Sequence, residues 1–141
     1  MKKFKGLMTS LSPHWATPKW LYETLDQEFA FNDDPCLLHS EQNGLLRSWG
    51  SSTFINPPYG RVIGDWVKKG FEEAQSGKTV VMLLPARTDT RWFHDYCLKA
   101  AEIRWIKGRL KFGEAVNSAP FPSMIVVFKI IKIEKELVNQ C

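Results

Sequence analysis

Four consecutive residues near the middle of the chain, Asn56-Pro57-Pro58-Tyr59, have types and an order that could do chemistry. Pro58 restricts Pro57 to extended backbone, and both rings hold φ near about −65°. Neither proline carries an N–H, so the turn presents carbonyl oxygens without competing donors. The Asn56 side chain adds another acceptor. Two acceptors held close together suit a planar amine, which has two N–H groups to give. Tyr59 adds a flat aromatic face, and stacking a base on such a face is worth roughly 1–3 kcal/mol.

This arrangement answers a specific chemical difficulty. The exocyclic amine of adenine is a poor nucleophile, because its lone pair is delocalised into the ring. Accepting hydrogen bonds from both of its hydrogens favours a tetrahedral nitrogen and localises that lone pair. A sulfonium methyl donor then needs in-line placement, so positioning does much of the work. A base in a duplex would first be flipped out, with Tyr59 replacing its lost stacking partner. A stiff turn between strand and helix could have the same sequence, so the place of this segment in the fold has to decide.

The elements around it can be read from spacing. Thr53-Phe54-Ile55 reads as a strand end halted by Asn56. Ile63, Trp66, Val67, Gly70, Phe71 and Ala74 make one apolar helical face, and Gly77 ends that helix. Residues 79–84 form a continuous apolar run, as in a strand buried on both faces, and Pro85 stops it. A helix carrying Trp92, Phe93, Tyr96, Cys97 and Ala100 on one face follows, then strands over 103–106 and 124–131. Upstream, a helix is expected to start at Pro18 with Thr17 as its N-cap, burying Leu21, Tyr22, Leu25 and Phe29. Residues 29–33 are a short strand candidate running into Asp34-Pro35. Alternating strands and helices specify an α/β fold with a mostly parallel central sheet and helices on both faces. Ligands of such sheets bind beyond the carboxyl ends of the strands, where Asn56 falls.

Composition bounds the rest. The chain has 141 residues, 44% hydrophobic and 24% charged, which suits one domain over 1–141 with 1–12 and 134–141 as candidate tails. No apolar run approaches the roughly 20 residues that cross a bilayer. The basic start Met1-Lys2-Lys3-Phe4-Lys5 lacks a following apolar stretch, so the expectation is a cytoplasmic protein. Cys36, Cys97 and Cys141 are an odd, widely spaced set. Cys36 and His39 form a single CxxH pair with no second pair, so neither disulfides nor a metal site are expected. Gly77-Lys78-Thr79 lacks the earlier glycine of a phosphate loop, since residue 72 is Glu, and it precedes a strand rather than following one. His94 reads as a helix-surface residue, and Trp15 and Trp49 as core or cleft wall.

Charge is uneven. The net charge is +4, and residues 87–111 hold seven basic side chains against three acidic ones, leaving the remainder balanced. Such a stretch could be the footprint of a polyanion. Arg109 and Lys111 alternate with Leu110 and Phe112, which puts both cations on one face, suited to phosphate contact.

Several ordered blocks together resemble the small phage-type DNA adenine N6-methyltransferases. They are Trp15-Ala16-Thr17-Pro18, Asp34-Pro35-Cys36, Gly44-Leu45 with Trp49, and Phe54-Ile55-Asn56-Pro57-Pro58-Tyr59-Gly60. Leu83-Leu84-Pro85-Ala86-Arg87-Thr88-Asp89-Thr90, Gly108-Arg109-Leu110-Lys111-Phe112 and Ala119-Pro120-Phe121-Pro122-Ser123 continue them. The resemblance implies a Rossmann-like domain that uses S-adenosylmethionine to methylate the N6 of a flipped-out adenine in DNA. It implies that Asn56 and the Pro57 carbonyl hold the amine, with Pro58 bracing the turn and Tyr59 stacking on the base. Trp15, Thr17, Pro18, Asp34, Pro35 and Cys36 would line the donor pocket, and Arg87, Arg109 and Lys111 would meet the DNA. Two departures stand out: Pro35-Cys36-Leu37-Leu38 replaces the glycine-rich loop of most such enzymes, and Asn43 replaces a more usual Asp. Two other readings of the residues are a protein glutamine methyltransferase, since a planar amide offers the same two N–H groups, and a catalytically silent nucleic-acid-binding module.

Overall fold

The apolar run at the centre of the chain becomes the axis of the fold. In the computed structural model, which describes residues 16–36, 41–113 and 117–130, strand β2 (Thr79–Pro85) is buried along nearly its whole length. Parallel to it lies β1 (Ser52–Ile55), in a register that sets Phe54 beside Val81 and Ile55 beside Met82. On its other side β4 (Ser123–Phe128) runs antiparallel, and β4 pairs in turn with the antiparallel edge strand β3 (Glu102–Trp105). The order is β1-β2-β4-β3.

The α/β class is as expected, but the sheet is mixed rather than mostly parallel. β1, β2 and β3 point the same way, and only β4 is reversed. Because β4 sits between β2 and β3, two of the three strand pairings are antiparallel. A short β-branched run buried on both faces reads alike in either direction, so the reversal has no local signature. The candidate strand at 29–33 contributes one parallel bridge, from Asp33 to Thr53 of β1.

Alternating side chains divide the core between the two faces. Val80, Met82, Leu84, Met124, Val126 and Phe128 pack beneath α3 (Ile63–Gln75), with Trp66, Val67 and Ala74. Gly70 of α3 is needed there, since a Cβ would come within 2.8 Å of Met82 Sδ. Val81, Leu83, Ile125 and Val127 face α1 (Lys19–Phe29) through Leu21 and Leu25. Between α1 and β1 a short helix, α2 (Glu41–Leu46), packs against α3.

Two local expectations are corrected. The helix expected through Ala100 divides into α4 (Arg91–Asp95) and a 3₁₀ turn (Cys97–Lys99), because Tyr96 leaves helical geometry at φ −124°. Apolar spacing of three and four residues cannot separate these two cases. The last strand ends at Phe128, so Lys129 and Ile130 lie beyond it and Ile131 is outside the described residues. Trp49 is core, stacked 6.1 Å from Trp66, its indole N–H donating to the Gly44 carbonyl at 2.7 Å. The candidate tails 1–12 and 134–141, together with Trp15, His39 and Cys141, lie outside the described residues.

Candidate active site

Strand directions gather the candidate residues at one rim of the sheet. The carboxyl ends of β1, β2 and β3 share that rim with the amino end of β4. Asn56 follows β1, Ala86 and Arg87 follow β2, the 106–112 segment follows β3, and Phe121-Pro122 precede β4. Asp34 follows the Asp33 bridge to the same rim. The Ala86 N–H donates to the Pro122 carbonyl at 2.8 Å, tying two of these segments together.

Pro57 and Pro58 are buried, and Asn56 is half-buried. The Asn56 Nδ2 donates to Thr17 Oγ1 at 3.0 Å. Thr17 is therefore not the helix cap that the sequence suggests. The N-cap position is Pro18, at ψ 133°, so the helix begins at Lys19 without a side-chain cap, and the hydroxyl one residue further out is left to reach Asn56. Pro18 itself is buried, and its carbonyl accepts the N–H groups of Leu21 and Tyr22, both at 3.1 Å.

Tyr59 is wedged between two phenylalanines. Its ring meets Phe121 at 5.3 Å and 78°, and Phe112 at 6.4 Å and 87°. Its hydroxyl is buried with no hydrogen-bond partner among the described residues, and burial pushes its pKa well up. Phe112 and Phe121 were legible in the resemblance only as parts of longer blocks, with no role attached. The segment carrying them is anchored at both ends: Ala119 N–H donates to the Leu110 carbonyl at 2.7 Å, and Gly113 N–H to the Ala16 carbonyl at 2.8 Å. Gly113 adopts φ +55°, the left-handed region that glycine tolerates.

Asp34 is the anomalous charge of the rim. Burial, and then the neighbouring Asp33 charge, raise its pKa to about 6, against the opposing hydrogen bond from the Cys36 N–H. Pro35 and Cys36 are buried, Cys36 in the same core as Trp49 and Trp66. Helix α2 packs tightly on this turn, because a Cβ at Gly44 would come within 2.4 Å of the Pro35 carbonyl oxygen. A half-buried carboxylate without a cation beside it among the described residues fits a cationic ligand group, so the rim suits a sulfonium or ammonium at this point.

Not every basic side chain of the stretch is free. Arg87, Arg109 and Lys111 are exposed and make no ion pair among the described residues. Arg104 is instead committed to Glu28 and Glu102, and its guanidinium lies 5.3 Å from the Phe29 ring. Lys99 sits 5.7 Å from the Phe71 ring. Arg104 and Lys99 thus have partners among the described residues, whereas Arg87, Arg109 and Lys111 stand exposed. The alternation at 109–112 is as expected, with Leu110 and Phe112 buried between exposed Arg109 and Lys111. His94 is exposed, as expected, with Nε2 2.7 Å from the Thr88 carbonyl oxygen. Among the described residues no helix is long and apolar enough to cross a membrane.

Residues 7–140 match the family described as DNA N-6-adenine-methyltransferase (Dam). A protein of Haemophilus phage HP1 (strain HP1c1), named DNA N-6-adenine-methyltransferase, is 33% identical over 135 residues, covering 82% of this chain and 78% of the relative. One of Escherichia phage T1, with the same name, is 32% identical over 166 residues, covering 93% of this chain and 69% of the relative. No solved structure matches the chain significantly. With this likeness over most of its length, the chain belongs to the DNA N-6-adenine-methyltransferase (Dam) family.

Proposed function

We propose that the chain methylates the N6 of adenine in DNA at the rim formed by Thr17, Asp34, Asn56 and Tyr59, with S-adenosylmethionine as methyl donor. Membership of the family makes the reaction DNA adenine-N6 methylation. The observation that carries the site assignment is the Asn56 amide, held through Nδ2 by Thr17 at the carboxyl end of β1. S-adenosylmethionine supplies, when bound, a methyl group on a positively charged sulfur.

The chain's own residues supply position and electrostatics. Asn56 Oδ1 and the Pro57 carbonyl accept the two hydrogens of the target amine and localise its lone pair. Pro58 keeps that carbonyl from turning away, because two successive rings leave the backbone little freedom. Tyr59, steadied by Phe112 and Phe121, offers its ring to the extruded base. Asp34 balances the positive charge of the donor, and the buried Pro35-Cys36 turn with Thr17 and Pro18 shapes the surrounding wall. Arg87, Arg109 and Lys111 meet backbone phosphates. Three strands in one direction with a single reversed strand inserted beside the edge support a Rossmann-like methyltransferase domain.

The experiment is transfer of labelled methyl from S-adenosylmethionine to DNA or to protein by the purified chain. Label in DNA, recovered as N6-methyladenine, is the expected result. Label in glutamine of protein acceptors, or donor binding without any transfer, would refute the assignment.

A further inference from the structure

An asparagine amide has two ends of nearly equal shape and opposite chemistry. Turning it over replaces an acceptor oxygen by an NH2 donor. Only the oxygen can receive a hydrogen from a target amine; the other orientation sets N–H against N–H. A residue that holds the amide by its nitrogen therefore leaves the oxygen for the substrate.

Thr17 and Asn56 are 39 positions apart in sequence, and Asn56 Nδ2 donates to Thr17 Oγ1 at 3.0 Å. Thr17 is well placed to hold that bond. Its predecessor Ala16 accepts the Gly113 N–H at 2.8 Å, and its successor Pro18 is buried, its carbonyl accepting the Leu21 and Tyr22 N–H groups. Its β-branched side chain is also stiff about χ1. Both neighbours being fixed, the hydroxyl stays where the amide nitrogen meets it.

We infer that Thr17 is a positioning residue for methyl transfer, its hydroxyl holding the Asn56 side chain in place through Nδ2 and so leaving Oδ1 for the target amine. The inference rests on the role given to Asn56 above. It also gives Thr17 work distinct from lining the donor pocket, the role that the sequence resemblance implies.

The test compares Thr17→Val, which keeps shape and removes the oxygen, with Thr17→Ser, which keeps the oxygen. Thr17→Val lowers kcat about ten- to hundredfold, the effect of losing about 1.4–2.7 kcal/mol of alignment. Its S-adenosylmethionine Kd by calorimetry, DNA KM and melting temperature stay close to wild type, and Thr17→Ser recovers most of kcat. Unchanged kcat in Thr17→Val, an equal loss in Thr17→Ser, or a loss matched by weaker donor binding would each overturn the inference. Asn56→Ala separates the two roles. If it retains full activity, the role of Asn56 fails; if it is inactive while Thr17→Val is fully active, only the positioning role fails.

Discussion

Asp33 and Asp34 are adjacent, yet only Asp33 has a cation beside it among the described residues. Its two oxygens accept from Arg47 Nη1 and Nη2 at 2.7 and 2.8 Å, and one also accepts the Gly50 N–H at 2.9 Å. The Arg47 hydrogen bond is the largest influence on Asp33 and holds its pKa below the usual carboxylate value. Asp34 moves the other way, from 3.8 to about 6, chiefly through burial. One carboxylate is spent on holding the turn in shape, and its neighbour is left as an unmatched charge at the rim.

The raised pKa of Asp34 gives a two-sided prediction. The folded carboxyl binds its proton more tightly than the unfolded one, so its contribution is fully favourable below pH 3.8 and is lost as pH rises through about 6. Asp34→Asn should therefore raise the ligand-free melting temperature at pH 8 by roughly 2–6 °C, and by much less at pH 4. The same variant should weaken S-adenosylmethionine binding by about 1–3 kcal/mol, measured by calorimetry. Equal melting at both pH values together with unchanged donor affinity would remove Asp34 from the site.

Glu73 should behave in the opposite sense. Burial opposes its ionisation, but hydrogen bonds from Lys78, the Trp49 N–H and Lys69 outweigh it and draw its pKa from 4.5 to about 2. Their distances are 2.5, 2.9 and 3.0 Å. The stability it contributes is present above pH 4.5 and is lost as pH falls toward 2. Glu73→Gln is expected to cost about 1–3 kcal/mol in urea denaturation at pH 7, and distinctly less at pH 3. A cost that does not change with pH would show that packing, not charge, is responsible.

Gly44 links the fold to the donor side of the site. An added Cβ would meet the Pro35 carbonyl oxygen at 2.4 Å and the Trp66 ring at 2.8 Å, and neither backbone nor buried indole can easily move. Gly44→Ala should destabilise the chain by about 1–3 kcal/mol through overpacking. It should also weaken donor binding several-fold, because the 34–36 turn has to shift. Calorimetry and thermal melting measure both, and wild-type values in each would mean that α2 accommodates the methyl group.

Salt dependence tests the reduced basic surface. Replacing Arg109 and Lys111 with Ala should flatten log Kd against log salt by roughly one unit for each phosphate no longer neutralised. Arg104→Ala should leave that slope unchanged, since its guanidinium is held by Glu28 and Glu102. A slope altered by Arg104 and not by the other two would reverse this assignment.

What could be read from the residues follows from the range of the forces involved. The α3 face of Ile63, Trp66, Val67, Gly70 and Ala74 was legible because burial repeats with the helical period. The Asn56 turn was legible because prolines act on their immediate neighbours. The direction of β4, the partner of the Thr17 hydroxyl and the pairing of Arg104 with Glu28 were not. Each depends on segments brought together only by folding, 39 positions apart in one case and 76 in another. Thr17 illustrates the point: a threonine before a proline and an apolar helix predicts a cap, and only the approach of β1 gives its oxygen another partner.

The most direct measurement of the central claim is N6-methyladenine in DNA from cells that lack it otherwise and express either the chain or its Asn56→Ala variant. Wild-type chain should methylate adenine at a recurring sequence. The variant, folded and binding S-adenosylmethionine with wild-type affinity by calorimetry, should leave the DNA unmodified. N6-methyladenine at wild-type levels with Asn56→Ala, or none from the wild-type chain while it binds donor and DNA, would contradict the account.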